Sequence, residues 1–92
     1  MADSEKLVIV DFSAEWCSPC KAQEPIMEEL QKEYGEIIEV RKVDIEEEVE
    51  FTQSLGIRSV PTIAFFKDGE LLDVTVGLTS KEELKALIIR NM

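Results

Sequence analysis

Histidine is absent from this chain. That removes at once the side chain that titrates nearest neutrality and the commonest protein metal ligand. Cysteine occurs only twice and tryptophan once. A small secreted scaffold stapled by disulfides spreads more cysteines along its length, so one tight pair reads as chemistry rather than reinforcement. Basic residues are scarce too: ten Lys and Arg stand against twenty Asp and Glu, a net charge of −10. Such a charge repels phosphates, which argues against nucleic acid as a partner. It argues equally against an anionic membrane surface. It supports solubility and selects basic partner surfaces. No apolar run approaches the ~20 residues of a membrane helix. The opening "MADSEK" has no basic region followed by an apolar stretch, so no secretory signal is visible and a cytoplasmic location is expected. Nothing resembles a flavin or nicotinamide fingerprint.

What remains is an ordinary globular composition, with 45% hydrophobic and 33% charged residues. A chain of 92 residues is enough for one domain, residues 1–92. It buries roughly 60% of its unfolded surface, one core with little to spare. "KLVIVDF", residues 6–12, is a short β-branched run and predicts a buried strand. Asp11 lies inside it. From Ser18 to Tyr34 apolar residues recur at helical spacing, and Gly35 marks the stop. Pro25 inside this helix deletes one backbone bond and predicts a kink. Residues 37–43 read as a second strand and residues 46–54, opening with "EEE", as a short helix. Residues 62–66 predict a third strand, "KDG" a hairpin turn, and "ELLDVTV" its partner. Ser80 with Glu83 forms a capping-box pattern that opens a last helix, where Leu84, Leu87 and Ile88 share a face. The order β-α-β-α-β-β-α predicts an α/β fold. The first two strands should be parallel, the last two antiparallel, in one four-stranded mixed sheet with helices on both faces.

Both cysteines fall in "AEWCSPCKAQEP", where a strand gives way to a helix. Cys17 and Cys20, three apart at a helix start, come close enough for a disulfide. Cys17 at the tip is expected to be exposed, and Cys20, one turn in, to face the core. Free amides and the helix dipole favour a thiolate at that tip, so the Cys17 pKa should fall below the ~8.5 of a free thiol. Pro19 suits the first turn, where its missing N–H has no helical partner. Two rival readings stand beside this one. Zinc wants four ligands, which two cysteines and no histidine do not supply, so no metal is expected. Two inert core cysteines are the other. Asp11 has its own pair of readings. A carboxylate in an apolar strand costs several kcal/mol unless paired or protonated, and burial raises its pKa. It either pairs with a lysine to fix the core, or accepts the proton of Cys20.

"VDFSAEWCSPCK", "VRKVDI", "GIRSVPTIAFFKDGE" and "VGLTSKEEL" together resemble the thioredoxin family, in order, over almost the whole chain. The resemblance implies a thioredoxin-like fold and a thiol–disulfide oxidoreductase acting as a protein-disulfide reductase. Cys17 would attack a substrate disulfide, and Cys20 would resolve the mixed disulfide, leaving Cys17–Cys20 oxidised. Asp11, beside Lys42, would assist proton transfer at Cys20. Pro61 would be a cis proline next to the dithiol. The Val60 backbone would pair with an extended substrate strand. Trp16, Ile57, Val60, Pro61 and Gly77 would form a flat apolar contact surface; plain packing is the other reading of Trp16 and Ile57. No cofactor beyond the cysteine pair is implied. The partners implied are a thioredoxin reductase-type electron donor and disulfide-containing proteins, with the chain a monomer. A glutaredoxin-like, glutathione-dependent enzyme and a non-catalytic adaptor are the alternatives. Three departures from the family stand out. Ser18 replaces a frequent Gly, Ser13 replaces a frequent aromatic, and only six residues precede the first strand where members usually carry a further strand and helix. One sheet edge and part of one face are therefore expected to be barer.

Overall fold

A computed structural model describes residues 6–92. Strand β1 (Leu7–Ser13) leads into the long helix α1 (Ser18–Tyr34), followed by β2 (Ile38–Asp44) and the short α2 (Val49–Ser54). The hairpin β3 (Thr62–Lys67) and β4 (Glu70–Val76) precedes the last helix, α3 (Lys81–Arg90). The sheet order is β2-β1-β3-β4. β1 runs parallel to β2, and both other pairings are antiparallel. This is the expected element order and mixed sheet.

Side-chain alternation along β1 divides the core in two. Leu7 and Ile9, with Ile63 and Phe65 of β3, are buried beneath Met27 and Leu30 of α1 and Leu84 and Ile88 of α3. Each such side chain contributes about 1.5–3 kcal/mol of burial. Val10, Phe12 and Ala64 point the other way, towards α2. There the Phe51 ring lies 5.6 Å from that of Phe12 and 6.4 Å from that of Phe66. Six residues of helix cover this face incompletely, and Phe51, Leu71, Leu72 and Val74 stay exposed. β2 forms the sheet's other edge. Among the described residues the α2 face is thus left partly open.

The β2 edge is partly covered from within the chain. The Gln31 side chain accepts from the Val40 N–H at 2.7 Å and donates to the Ile38 carbonyl at 2.9 Å. It occupies backbone groups that a neighbouring strand would otherwise take, which blunts the edge.

Local chemistry sets the boundaries. Gly35, at φ 58°, ends α1, and its N–H returns to the Gln31 carbonyl. A short 3-10 turn over Gly35–Ile37 then takes up Ile37, so β2 starts at Ile38, one residue later than expected. Residues 46–48 turn rather than start a helix. Asp44 explains this: its carboxylate accepts the Glu46 N–H at 2.8 Å, and its carbonyl accepts the Glu47 and Glu48 amides. Asp captures nearby backbone in this way and favours turns. α2 is correspondingly shorter than the expected 46–54. α1 continues through Pro25. The hairpin turn places Asp68 at φ 55° and Gly69 at φ 79°, the left-handed pair that a tight hairpin needs. Ser80 accepts from the Glu83 N–H at 3.2 Å and so caps α3.

Candidate active site

Cys17 is the N-cap of α1, in an extended conformation (φ −99°, ψ 107°), with a proline in the first turn behind it. Its sulfur accepts a hydrogen bond from the Cys20 N–H at 3.2 Å. The helix start therefore aims an otherwise unpaired amide at the outer sulfur. Cys17 and Cys20 are joined by a disulfide, with their Cα atoms 5.3 Å apart. The reading of two inert core thiols does not survive that bond.

One expectation fails. Cys17 is 4% exposed and Cys20 1%. Both are buried with Ala14, and Ile45 and Val60 pack against them. The N-cap position holds the outer sulfur against these neighbours rather than in solvent. The exposed group is Trp16, at 66%, whose indole N–H donates to Glu46 at 3.2 Å.

The Val60–Pro61 peptide is cis. Val60, packed against the cysteines, forms no backbone hydrogen bond with any described residue. The Pro61 carbonyl accepts the Gly77 N–H at 2.8 Å, tying the two loops together. Val60, Ile57 and Gly77 are half-buried. Pro61 is fully buried, so its ring does not belong to an exposed contact surface. It shapes the turn that presents Val60, because residues 62–66 carry the chain straight into the central sheet.

Asp11 is 2% exposed, on the face covered by α1. Its Oδ1 is buried with no hydrogen-bond partner. Burial pushes its pKa up to about 6; the Lys42 charge opposes this and the Glu24 charge adds to it. Lys42 is the Cα partner of Asp11 across the β1–β2 ladder. Its ammonium nevertheless bonds Glu24, not Asp11, and that hydrogen bond is the main reason its pKa is raised. The lysine-paired reading of Asp11 therefore fails, since Glu24 takes the lysine.

Two polar residues of α1 went unnoticed in the sequence. Gln23 is fully buried and grips the backbone of Thr79 twice: Nε2 donates to the carbonyl at 3.0 Å, and Oε1 accepts the N–H at 2.9 Å. This fixes the segment after Gly77 to the helix that carries the cysteines. The signal was present: Gln23 is a polar residue on the buried stripe with Cys20 and Met27. Glu24, one turn beyond Cys20, carried a weaker version of the same signal. Among the described residues no group of three or more Cys, Asp or Glu is arranged to hold a metal. Among the same residues no helix is long and apolar enough to cross a membrane.

A disulfide between two cysteines three apart at a helix start, flanked by a cis-proline turn and a buried carboxylate, defines a class: the thiol–disulfide oxidoreductases. Comparison with known proteins carries this further. The thioredoxin family model matches residues 1–90. A thioredoxin of Listeria monocytogenes is 44% identical over 85 residues, covering 92% of this chain and 82% of that protein. One of Bacillus subtilis is 39% identical over 89 residues, covering 97% and 86%. A solved mutant thioredoxin of Halobacterium salinarum superposes with a TM-score of 0.87 at 36% identity, over 96% of this chain and 76% of that one. The Fasciola hepatica thioredoxin gives 0.88 at 35%, over 96% and 83%. The chain belongs to the thioredoxin family.

Proposed function

We propose that this thiol–disulfide oxidoreductase reduces disulfides in other proteins through the following division of labour. The Cys17 thiolate attacks a substrate sulfur and forms a mixed disulfide. Cys20, deprotonated, then attacks the Cys17 sulfur; the Cys17–Cys20 bond forms, and the substrate leaves as a thiol. The observation that carries this is the N–H of Cys20 directed at the Cys17 sulfur, 3.2 Å away. A hydrogen bond to the charged form favours that form. Asp11 accepts the Cys20 proton through water. Its raised pKa of about 6 suits a base working near neutrality, where it is mostly ionised yet still basic.

Trp16, Ile57, Val60 and Gly77 receive the substrate, with Pro61 shaping the turn beneath them. The unpaired Val60 backbone fits an extended substrate strand. Membership of the thioredoxin family, with the two cysteines joined, favours this reading over a glutathione-dependent enzyme or a docking-only adaptor. The cysteine pair is the only redox group required. Electrons return from a separate reductase-type donor, and the net charge of −10 steers the chain to basic partner surfaces. We take it to act as a cytoplasmic monomer. Reduction of insulin by dithiothreitol tests the proposal: the wild type accelerates it, and a Cys17→Ser rate equal to the wild-type rate refutes dithiol catalysis.

A further inference from the structure

Asp11 and Cys20 are both buried, at 2% and 1% exposure, and they open onto different clefts. One, of about 410 Å³, is lined by Cys20, Lys21, Glu24 and Lys42 among others. The second, of about 350 Å³, is lined by Asp11, Glu24, Glu28 and Lys42. Glu24 and Lys42 are the two residues common to both clefts. They bond to each other, with side chains 39% and 56% exposed. The ion pair thus stands on the solvent side of the carboxyl and the inner sulfur, at the junction of their clefts. Glu24 lies four residues beyond Cys20, on the same face of α1.

We propose that Glu24 is a positioning residue for the resolving step: it holds the Lys42 ammonium away from Asp11 and at the junction through which water connects Asp11 to Cys20. This rests on Asp11 being the acceptor of the Cys20 proton. Lys42 sits directly across the ladder from Asp11. Were Glu24 absent, the ammonium would be free to pair with the orphaned Asp11 oxygen. A lysine-paired carboxylate is a weaker base. Glu24 captures the lysine and leaves Asp11 as a carboxyl with an unfilled hydrogen-bonding position, able to take a proton. The charged groups facing Asp11 are Lys42 from β2 and Glu24 and Glu28 from α1; its partner on β3 is the apolar Ile63. Lys42 lowers the Asp11 pKa and Glu24 raises it, consistent with this arrangement. In the step itself the Cys20 proton passes through water to the Asp11 carboxylate. The Cys20 sulfur bonds Cys17, the Cys17–substrate bond breaks, and the substrate thiolate is protonated on release.

Mixing the reduced protein with an excess of a disulfide peptide, quenching with acid, and counting the mixed disulfide by mass separates its formation from its decay. The decay is followed against pH in wild type, Glu24→Gln, Glu24→Asp, Asp11→Asn and the double variant. Glu24→Gln is expected to move the acid limb of the decay to lower pH by about half a unit or more. Glu24→Asp should restore most of the wild-type profile, and Glu24→Gln should add nothing in the Asp11→Asn background. An unmoved or raised limb in Glu24→Gln, with the limb lost in Asp11→Asn, overturns the proposal and leaves Asp11 as the acceptor. A Glu24→Gln shift that persists without Asp11 overturns it as well, because Glu24 would then act on the cysteines directly. An Asp11→Asn profile identical to wild type removes the acceptor reading, and the proposal with it.

Discussion

Two side chains carry opposite obligations at the site. Cys20 must lose a proton to act, and Asp11 must remain uncharged or be strained by burial. A carboxyl whose pKa is raised on folding binds more protons folded than unfolded between its two values. Stability therefore falls as pH rises through the window from 3.8 to about 6, and the full penalty is present above it. Asp11→Asn should thus be more stable than wild type near neutral pH, by about 1–3 kcal/mol, with the gain shrinking to nothing below the window. Urea unfolding at several pH values measures it; a variant less stable than wild type at neutral pH would show that the carboxylate is satisfied after all. Cys20→Ser should accumulate mixed disulfides on Cys17, visible on a non-reducing gel, while Cys17→Ser accumulates none. Asp11 was legible in the sequence because a carboxylate interrupts an apolar strand. Its lack of a lysine partner was not, because which of two chain-distant carboxylates takes Lys42 depends on a helix crossing a sheet.

Among the elements, α1 does most of the organising. Its N-terminus holds the disulfide, Gln23 anchors the Thr79 segment, and Gln31 covers the β2 edge. Replacing Gln23 by Leu leaves the Thr79 N–H and carbonyl buried and unpaired. That should cost about 2–4 kcal/mol, read as a fall in the urea midpoint, since each orphaned group costs about 1–3 kcal/mol. Ser80→Ala removes the side-chain cap at the N-terminus of α3 and should cost about 1 kcal/mol in the same measurement. The long helix, the hairpin turn and the Ser80 cap were legible because each depends on residues within a few positions of one another. The start of α2 was misread for an equally local reason: Asp44 competed for the amides that an "EEE" start would have left free.

For the molecule as a whole, charge and coverage matter most. Lys81 bridges Glu29 and Glu33, Lys85 joins Glu33, and Arg90 pairs with Asp73. Exposed pairs of this kind are worth about 0–1 kcal/mol each. They do not offset the self-repulsion of a chain carrying −10. Salt should therefore stabilise: raising sodium chloride from about 0.01 M to about 0.2 M is expected to lift the melting temperature by about 2–6 °C. A fall would mean that the ion pairs outweigh the repulsion. The face behind α2 is apolar and open because one six-residue helix cannot cover three strands.

Periodicity, turn residues and the spacing of Cys17 and Cys20 settled the element order, the parallel first pair and the place of the dithiol, because these depend on neighbours along the chain. Exposure did not follow in the same way. A helix tip reads as solvent-facing until the turn that ends in Pro61 is folded across it, and only then do Val60 and Ile45 bury the outer sulfur. Nor did the ownership of Lys42 follow: register puts it opposite Asp11, but the lean of α1 over β2 delivers Glu24 to it first. Contacts between residues far apart in the chain are fixed by packing, and no local pattern encodes them.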